Sequence, residues 1–364
     1  MRLVLIMRIN RLWLTDFRSF DSAELAPAAD GLTVIQGDNG VGKTNLLEAV
    51  GYLATMGSFR GAPHEALVRT GCERGAVRAE VEREQRRLLI EVDIPLSGRE
   101  RAQINRQPLR RARDLLGALR VSVFSPDDLV LVKGAPGERR RFLDDALVAL
   151  QPRYDGTRGD LDRALRQRAS LLKQAGPQPD AGTLAALDVW DAKLAEVGEA
   201  VAASRARLVL DLEPEVAKSY GRLAGEDGAV ALTYRRSWEG GLDEALGRAR
   251  GEDLRRGTTS VGPHRDDLIV ELAGLPARSH ASQGEQRTLA LALRLAVHGI
   301  VTDAVGSPPV LLLDDVFSEL DEARSAAVIT HLPGAQALLT TVSSPPPGVT
   351  PARILRVTAG TIVS

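Results

Sequence analysis

The sequence predicts an α/β fold with a mixed-sheet core contributed by both ends of the chain and a mostly helical lobe inserted between them. Three observations carry this expectation. From residue 7 to about 131 short β-like runs alternate with turns; from 138 to about 217 helical spacing replaces them; from Val230 strands return, ending in runs at 309–313 and Ala337–Thr341. At 364 residues the chain also exceeds one ordinary core, which calls for two domains or a core carrying a large insertion. The expected divisions are 1–135 for the first part of the core, 136–255 for the helical lobe and 256–364 for the part that completes the core.

Met7 opens an alternation of Ile9, Leu12 and Leu14, so residues 1–6 read as an extension or a mis-assigned start. Further strands are expected at Leu32–Gln36, 76–82, 88–94 and Val121–Phe124, interrupted by one helix at 45–54. Pro152 and the group Gly176, Pro177 and Pro179 divide the helical stretch. Its second half carries Leu187, Trp190, Leu194, Val197, Val201 and Leu208, and its first half Tyr154, Leu161, Leu165 and Leu172. This spacing predicts two helices packed antiparallel. A short coiled-coil-like hairpin and an ordinary amphipathic core pair both fit it.

Composition narrows the function classes. With Cys72 as the one cysteine, no intramolecular disulfide can form and nothing points to a cysteine-based metal site. Forty-seven basic against 48 acidic side chains leave a net charge of −1, so any nucleic-acid contact must use a local patch rather than a global field. The N-terminus is far short of a secretory segment and no stretch is expected to reach membrane-spanning length, which places the chain in the cytoplasm without a membrane partner. Only five lysines occur, which makes the position of Lys43 informative.

Gly37, Asp38, Asn39, Gly40, Val41, Gly42, Lys43 and Thr44 fit the pattern G-x-x-x-x-G-K-[ST], after an apolar run and before a helix that Asn45 enters. Glycines at these spacings let backbone N–H groups turn inward around phosphate oxygens. Lys43 adds a point charge at the β and γ phosphates, Thr44 offers a hydroxyl to Mg²⁺, and the helix dipole favours the anion. Val310, Leu311, Leu312 and Leu313 read as a strand buried on both faces, ending in the carboxylates of Asp314 and Asp315. Asp314 is expected to hold Mg²⁺ and Asp315 to polarise an attacking water, with Lys43 completing the catalytic set. ATP with Mg²⁺ is the expected ligand.

A second helix start, Ser282, Gln283, Gly284, Glu285 and Gln286, precedes Asp314 by 32 residues (314 − 282). Since one phosphate cradle is already present, this segment makes most sense serving the nucleotide of a second copy; a plain helix cap is the alternative. It resembles the signature motif of ABC-type ATPases, with Ser282, Gly284 and Gln286 as the contacts made in trans. Ser318, Glu319, Leu320 and Asp321 resemble the D-loop of that class, with Asp321 at the dimer interface. The resemblance gives the fold expectation its final form: an ABC-type ATPase head, with the mixed-sheet core as lobe I and the helical lobe II bearing the hairpin.

Within that class several strings resemble the RecF family: residues 14–19 (LTDFRS), 124–129 (FSPDDL), 139–144 (RRRFLD), 262–267 (GPHRDD) and 313–321 (LDDVFSELD). They extend over nearly the whole chain and in the family's order. The resemblance implies ATP-dependent head-to-head dimerisation, binding to double-stranded DNA near junctions with single-stranded gaps, and slow, DNA-stimulated ATP hydrolysis. It also implies work with RecO and RecR in loading recombinase, in DNA replication, recombinational repair and the SOS response. Phe124, Ser125 and Pro126 stand where a transporter has glutamine, and Thr340 and Thr341 where it has histidine, so a fast transport cycle is not expected.

Arg110, Arg111 and Arg113, and Arg139, Arg140 and Arg141, are the densest arginine groups. Each is a candidate DNA-phosphate contact, with solvated surface or ion pairing as the alternative. His264 and Arg265 are expected to be structural beside Asp266 and Asp267. An SMC-like head, a transporter subunit and an interaction module with structural ATP are the rival functions; the roughly 80-residue helical stretch allows only a stub, not a long arm.

Overall fold

The structure is a computed structural model that describes residues 7–363 except 85, 177–178, 226–227, 321, 332–334 and 343–349. Its elements run β1 (Met7–Phe17), β2 (Phe20–Leu25), β3 (Leu32–Gln36), α1 (Lys43–Thr55), β4 (Arg74–Arg83), β5 (Arg86–Pro95), β6 (Arg101–Ile104), β7 (Gln107–Pro108) and β8 (Val121–Phe124). Then come α2 (Val130–Lys133), α3 (Pro136–Leu150), α4 (Tyr154–Ala175), α5 (Ala181–Ala224), β9 (Val230–Arg235), α6 (Leu242–Arg256), β10 (Asp267–Leu272), β11 (Leu275–Pro276) and α7 (Ala277–His280). The chain closes with α8 (Gln283–Val305), β12 (Val310–Asp314), α9 (Glu322–His331), β13 (Ala337–Thr341), β14 (Arg353–Thr358) and β15 (Thr361–Val363). Two compact units result, one of residues 1–128, 219–226 and 290–364, the other of 129–218 and 227–289.

In the first unit a mixed six-stranded sheet has the order β15-β14-β3-β13-β12-β8, parallel except for β15. Leu311, Leu312 and Leu313 are fully buried, as a strand covered on both faces requires. A second, antiparallel sheet has the order β2-β1-β4-β5-β6-β7. Ile9 and Leu12 are three apart in sequence yet both fully buried, because a register shift between Ile9 and Arg11 returns the strand to the same face. The strand expectations fall within observed strands except that the run 309–313 is shifted by one residue to β12, while β14 and β15 continue the sheet beyond the last expected run at Ala337–Thr341. Leu355 and Val357 carry the two-residue alternation that marks β14.

The second unit contains the expected helical hairpin. Leu161 and Leu172 of α4 and Leu187, Leu194, Val197, Val201 and Leu208 of α5 are buried, while Leu165 and Trp190 are partly exposed. The centre of the seam is ionic. Arg168 is fully buried and donates to Asp191 on α5 and to Asp253 on α6, so a third helix takes part in the packing. This is the ordinary core-pair arrangement with an added ion pair, and removing one partner would leave a buried charge uncompensated. Strands β9 to β11 form a small antiparallel sheet in the same unit, which extends to Leu289, past the boundary expected between 255 and 256.

One expectation is corrected by α8. By length and composition it is long and apolar enough to cross a membrane, and half of its most apolar window is buried in the protein, as for a core helix. Arg287 and Arg294 interrupt the run to the eye, although an 18-residue window holds few charges.

Candidate nucleotide-binding site

The loop between β3 and α1 requires glycine at two places for different reasons. A Cβ on Gly37 would lie 2.4 Å from the Val357 carbonyl oxygen of β14. Gly42 has φ +107, and its Cβ would lie 2.7 Å from the Ser19 hydroxyl. No side chain caps α1 and no acidic residue lies in its first turn, so its leading N–H groups and positive dipole end favour an anion. Asp38, Asn39 and Gly40 are exposed on the loop, and Val41 packs toward Gly37. The Asn45 amide donates to the Ser19 hydroxyl at 2.9 Å.

Lys43 is 8% exposed. Its Nζ donates to the carbonyls of Gly37 (2.7 Å) and Asp38 (2.8 Å), which holds the ammonium across the loop. Burial pulls its pKa below the usual lysine range, against the opposing influence of Asp315, Asp314 and Asp38. A partly desolvated ammonium gains most when a polyanion arrives.

Thr44 donates from Oγ1 to Asp314 Oδ1 at 2.8 Å, and Thr340 donates to the same oxygen at 2.7 Å. The parallel register of β12 and β13 pairs Asp314 with Thr340 and so makes the second bond possible. Burial raises the Asp314 carboxyl above the ordinary aspartate range, partly offset by the Thr340 and Thr44 bonds and by the charge of Arg60. Asp315 has left-handed backbone (φ 48), and its N–H donates to Thr340 Oγ1 at 3.0 Å. Thr340 thereby orients both aspartates, a positive role that its place in the histidine position of transporters did not signal.

Among the described residues no group of three or more His, Cys, Asp or Glu side chains could hold a metal ion alone. A threonine hydroxyl and a carboxylate oxygen already in hydrogen-bond contact are a hard oxygen pair, the donor set that suits Mg²⁺ shared with substrate phosphates. The site residues expected from the loop and from β12 therefore come together in one unit. Arg60, exposed on the loop after α1 and within electrostatic reach of Asp314, joins them although no sequence motif marked it.

In the second unit Ser282 and Glu285 form a capping box at the start of α8. Ser282 N–H donates to Glu285 at 2.6 Å, and Glu285 N–H donates to Ser282 Oγ at 3.3 Å. Ser282 is exposed and Gly284 half-buried. Gln286 departs from the expectation of an outward contact: it is 3% exposed and its amide donates to the carbonyls of Ala277 and Arg278. It anchors the segment that leads into Ser282. Asp321 lies outside the described residues.

The arginine groups separate. Arg139 is buried and donates to both carboxylate oxygens of Asp267 at 2.8 and 2.9 Å, and Arg140 donates to the Asp266 carbonyl at 2.7 Å. Arg139 is thereby taken up inside the protein and is not placed to meet DNA phosphate, which corrects the expectation for it, while Arg140 is half-buried. Their helix places them against β10, and a contiguous arginine string does not reveal that in sequence. Arg141 is exposed and pairs with Glu138 at 3.4 Å. Arg110, Arg111 and Arg113 are exposed, with Arg111 paired to Asp114 at 2.9 Å. His264 and Arg265 both bond the Thr259 carbonyl, as their expected structural role requires.

Comparison with known proteins gives a consistent result. The RecF/RecN/SMC N terminal domain profile matches residues 8–345. The DNA replication and repair protein RecF of Streptomyces avermitilis is 44% identical over 372 residues, covering 98% of this chain and 99% of that protein. The protein of the same name from Kineococcus radiotolerans is 43% identical over 366 residues, covering 93% of each. Among solved structures, the recombination mediator protein RecF with ATP in the RecFOR pathway superimposes with a TM-score of 0.91 at 28% identity, covering 100% of this chain and 98% of that one. An Smc head domain from Pyrococcus furiosus reaches a TM-score of 0.55 at 14% identity, covering 98% and 95% of the two chains, and shares the fold alone. The chain belongs to the RecF family.

Proposed function

We propose that the chain is an ATP-binding and ATP-hydrolysing clamp of DNA replication and recombinational repair, which dimerises on ATP and binds double-stranded DNA near single-stranded gaps. The observation that carries this reading is the 2.8 Å bond from Thr44 to Asp314, which joins the phosphate cradle to the acidic strand end. ATP seats its phosphates on the backbone of residues 37–45, and Lys43 exchanges its two carbonyl partners for phosphate oxygens. Thr44 and Asp314 would hold Mg²⁺, which when bound neutralises charge on the phosphates. Asp315 accepts a proton from, or orients, the attacking water, with Thr340 fixing its backbone.

Ser282 and Gly284 of a second copy complete the site at the γ-phosphate, so ATP gates association and hydrolysis releases it. The lobe division at 1–135, 136–255 and 256–364 and a cytoplasmic location rest on the sequence pattern, and the trans role of the signature-like segment and cooperation with RecO and RecR rest on resemblance to the family. The ATP named for the related solved structure supports ATP as the ligand. A fluorescent ATP analogue titrated against the wild-type chain and Lys43→Ala tests the binding step. Wild-type saturation that is lost in the variant supports the reading, and equal binding by both contradicts it.

A further inference from the structure

The first unit holds a buried carboxylate that the phosphate chemistry does not use. Glu48 lies on α1 one turn beyond Thr44 and is fully buried. Its two oxygens accept from Arg18 Nε at 2.7 Å and Nη2 at 2.6 Å, and the second of them also accepts from the Ser58 hydroxyl at 2.5 Å. A bidentate guanidinium balances the charge.

Each partner reaches a segment that borders the cradle. Arg18 sits in the turn between β1 and β2 with φ +54, and donates from Nη1 to the Ala66 carbonyl at 2.8 Å. Its neighbour Ser19 accepts from Asn45 and stands against Gly42. Ser58 lies in the loop after α1. Its single hydroxyl proton goes to Glu48, which leaves both lone pairs for the N–H groups of Arg60 at 3.1 Å and Ala62 at 3.2 Å. The Phe59 ring packs 3.0 Å from the Cβ position of Gly51, so the loop is pinned on both sides of Arg60 only if Ser58 keeps this polarity.

We infer that Glu48 is a positioning residue of the nucleotide site: through Arg18 it fixes the β1–β2 turn, whose Ser19 stands against Gly42 and Asn45 of the cradle, and through Ser58 it fixes the loop 57–62 that carries Arg60. The Ser58 hydroxyl gives the buried carboxylate a third donor and in the same arrangement accepts from the loop amides of Arg60 and Ala62, so the carboxylate and the loop are held by one group. The inference rests on the ATPase reading above.

Ser58→Ala removes the link while leaving the Arg18 pair intact, and Ser58→Thr keeps the hydroxyl. The expected result is that Ser58→Ala lowers kcat for ATP hydrolysis about tenfold with the Kd for a fluorescent ATP analogue within about twofold of wild type. Ser58→Thr should restore kcat, and amide exchange at Arg60 and Ala62 should rise in the alanine variant alone. The double variant with Arg60→Ala should be no slower than Arg60→Ala by itself, since both changes remove one effect. Glu48→Gln should reproduce the kcat loss, and the Ser58 pair decides the matter if that variant does not fold. An unchanged kcat in Ser58→Ala, or additive losses in the double variant, overturns the inference while the ATPase reading stands. A wild-type chain that neither binds nor hydrolyses ATP overturns both.

Discussion

Thr44 and Asp314, separated by 270 positions in the sequence, meet in a 2.8 Å hydrogen bond that closes the cradle against the end of β12. The bond exists because β3 and β12 flank β13 in one parallel sheet, which brings both strand ends to the same edge. In open α/β sheets this edge is where ligands bind.

The raised carboxyl of Asp314 makes this aspartate a cost to the nucleotide-free protein. Its pKa is higher folded than unfolded, so the cost is absent in acid and grows as pH rises past the ordinary carboxylate range. Asp314→Asn keeps an acceptor for Thr44 and Thr340, and should stabilise the nucleotide-free chain at pH 7 while abolishing hydrolysis. Thermal unfolding paired with phosphate release checks both halves, and a destabilised variant would refute the electrostatic account.

Lys43→Ala should weaken ATP binding by about a hundredfold or more, because a partly buried ammonium aimed at phosphate contributes several kilocalories. Its fold should persist, since Nζ meets only loop carbonyls. Equilibrium titration and circular dichroism measure the two effects.

Ser282→Arg should leave ATP binding by the monomer unchanged, because Ser282 is exposed and its bonds are to Glu285 and Gln286 of its own helix start. Association should be lost, since a long side chain would stand where a second copy's phosphate approaches. Normal association of this variant would remove the trans role.

The arginine groups give opposite expectations. Arg139→Ala leaves Asp267 buried without its partner and should cost about 3 kcal/mol of stability. Replacing Arg110, Arg111 and Arg113 together by alanine should spare stability, weaken duplex binding and reduce the salt dependence by about 0.9 per lost phosphate contact. An unchanged salt slope would exclude these three from the DNA surface.

Acid sensitivity follows from two histidines. Burial lowers the pKa of His298 to about 4, and that of His264 likewise to about 4. As pH falls below about 6.5 the unfolded chain takes up protons that the folded chain refuses, so stability present above that value is lost progressively toward pH 4. Urea midpoints measured between about pH 7 and 5 should fall for the wild type and fall less for His298→Gln.

Much of the first unit was legible because its signals are local. The glycine spacing of residues 37–44 and the apolar run into Asp314 each name their own element, and in the second unit Pro152 and Gly176 mark where the helical stretch divides. Contacts made through sheet register were not legible: nothing near Thr340 in sequence reveals that it faces Asp314, and nothing near Ser19 that it rests on Gly42. Burial of charge was the other blind spot. Arg139 reads from its type as solvated surface or a phosphate contact, and Arg168 carries no signal at all, yet each is held inside by acidic partners from other elements. Gln286 fits the signature spacing while pointing inward to Ala277 and Arg278.

The most direct test of the clamp is the molecular mass in solution, by light scattering, without nucleotide, with ADP, and with a slowly hydrolysed ATP analogue plus Mg²⁺, the last repeated with a short duplex. The account predicts a monomer in the first two conditions and a dimer with the ATP analogue, retained on the duplex. A monomer in every condition would contradict it, because no second copy would then complete the site through Ser282.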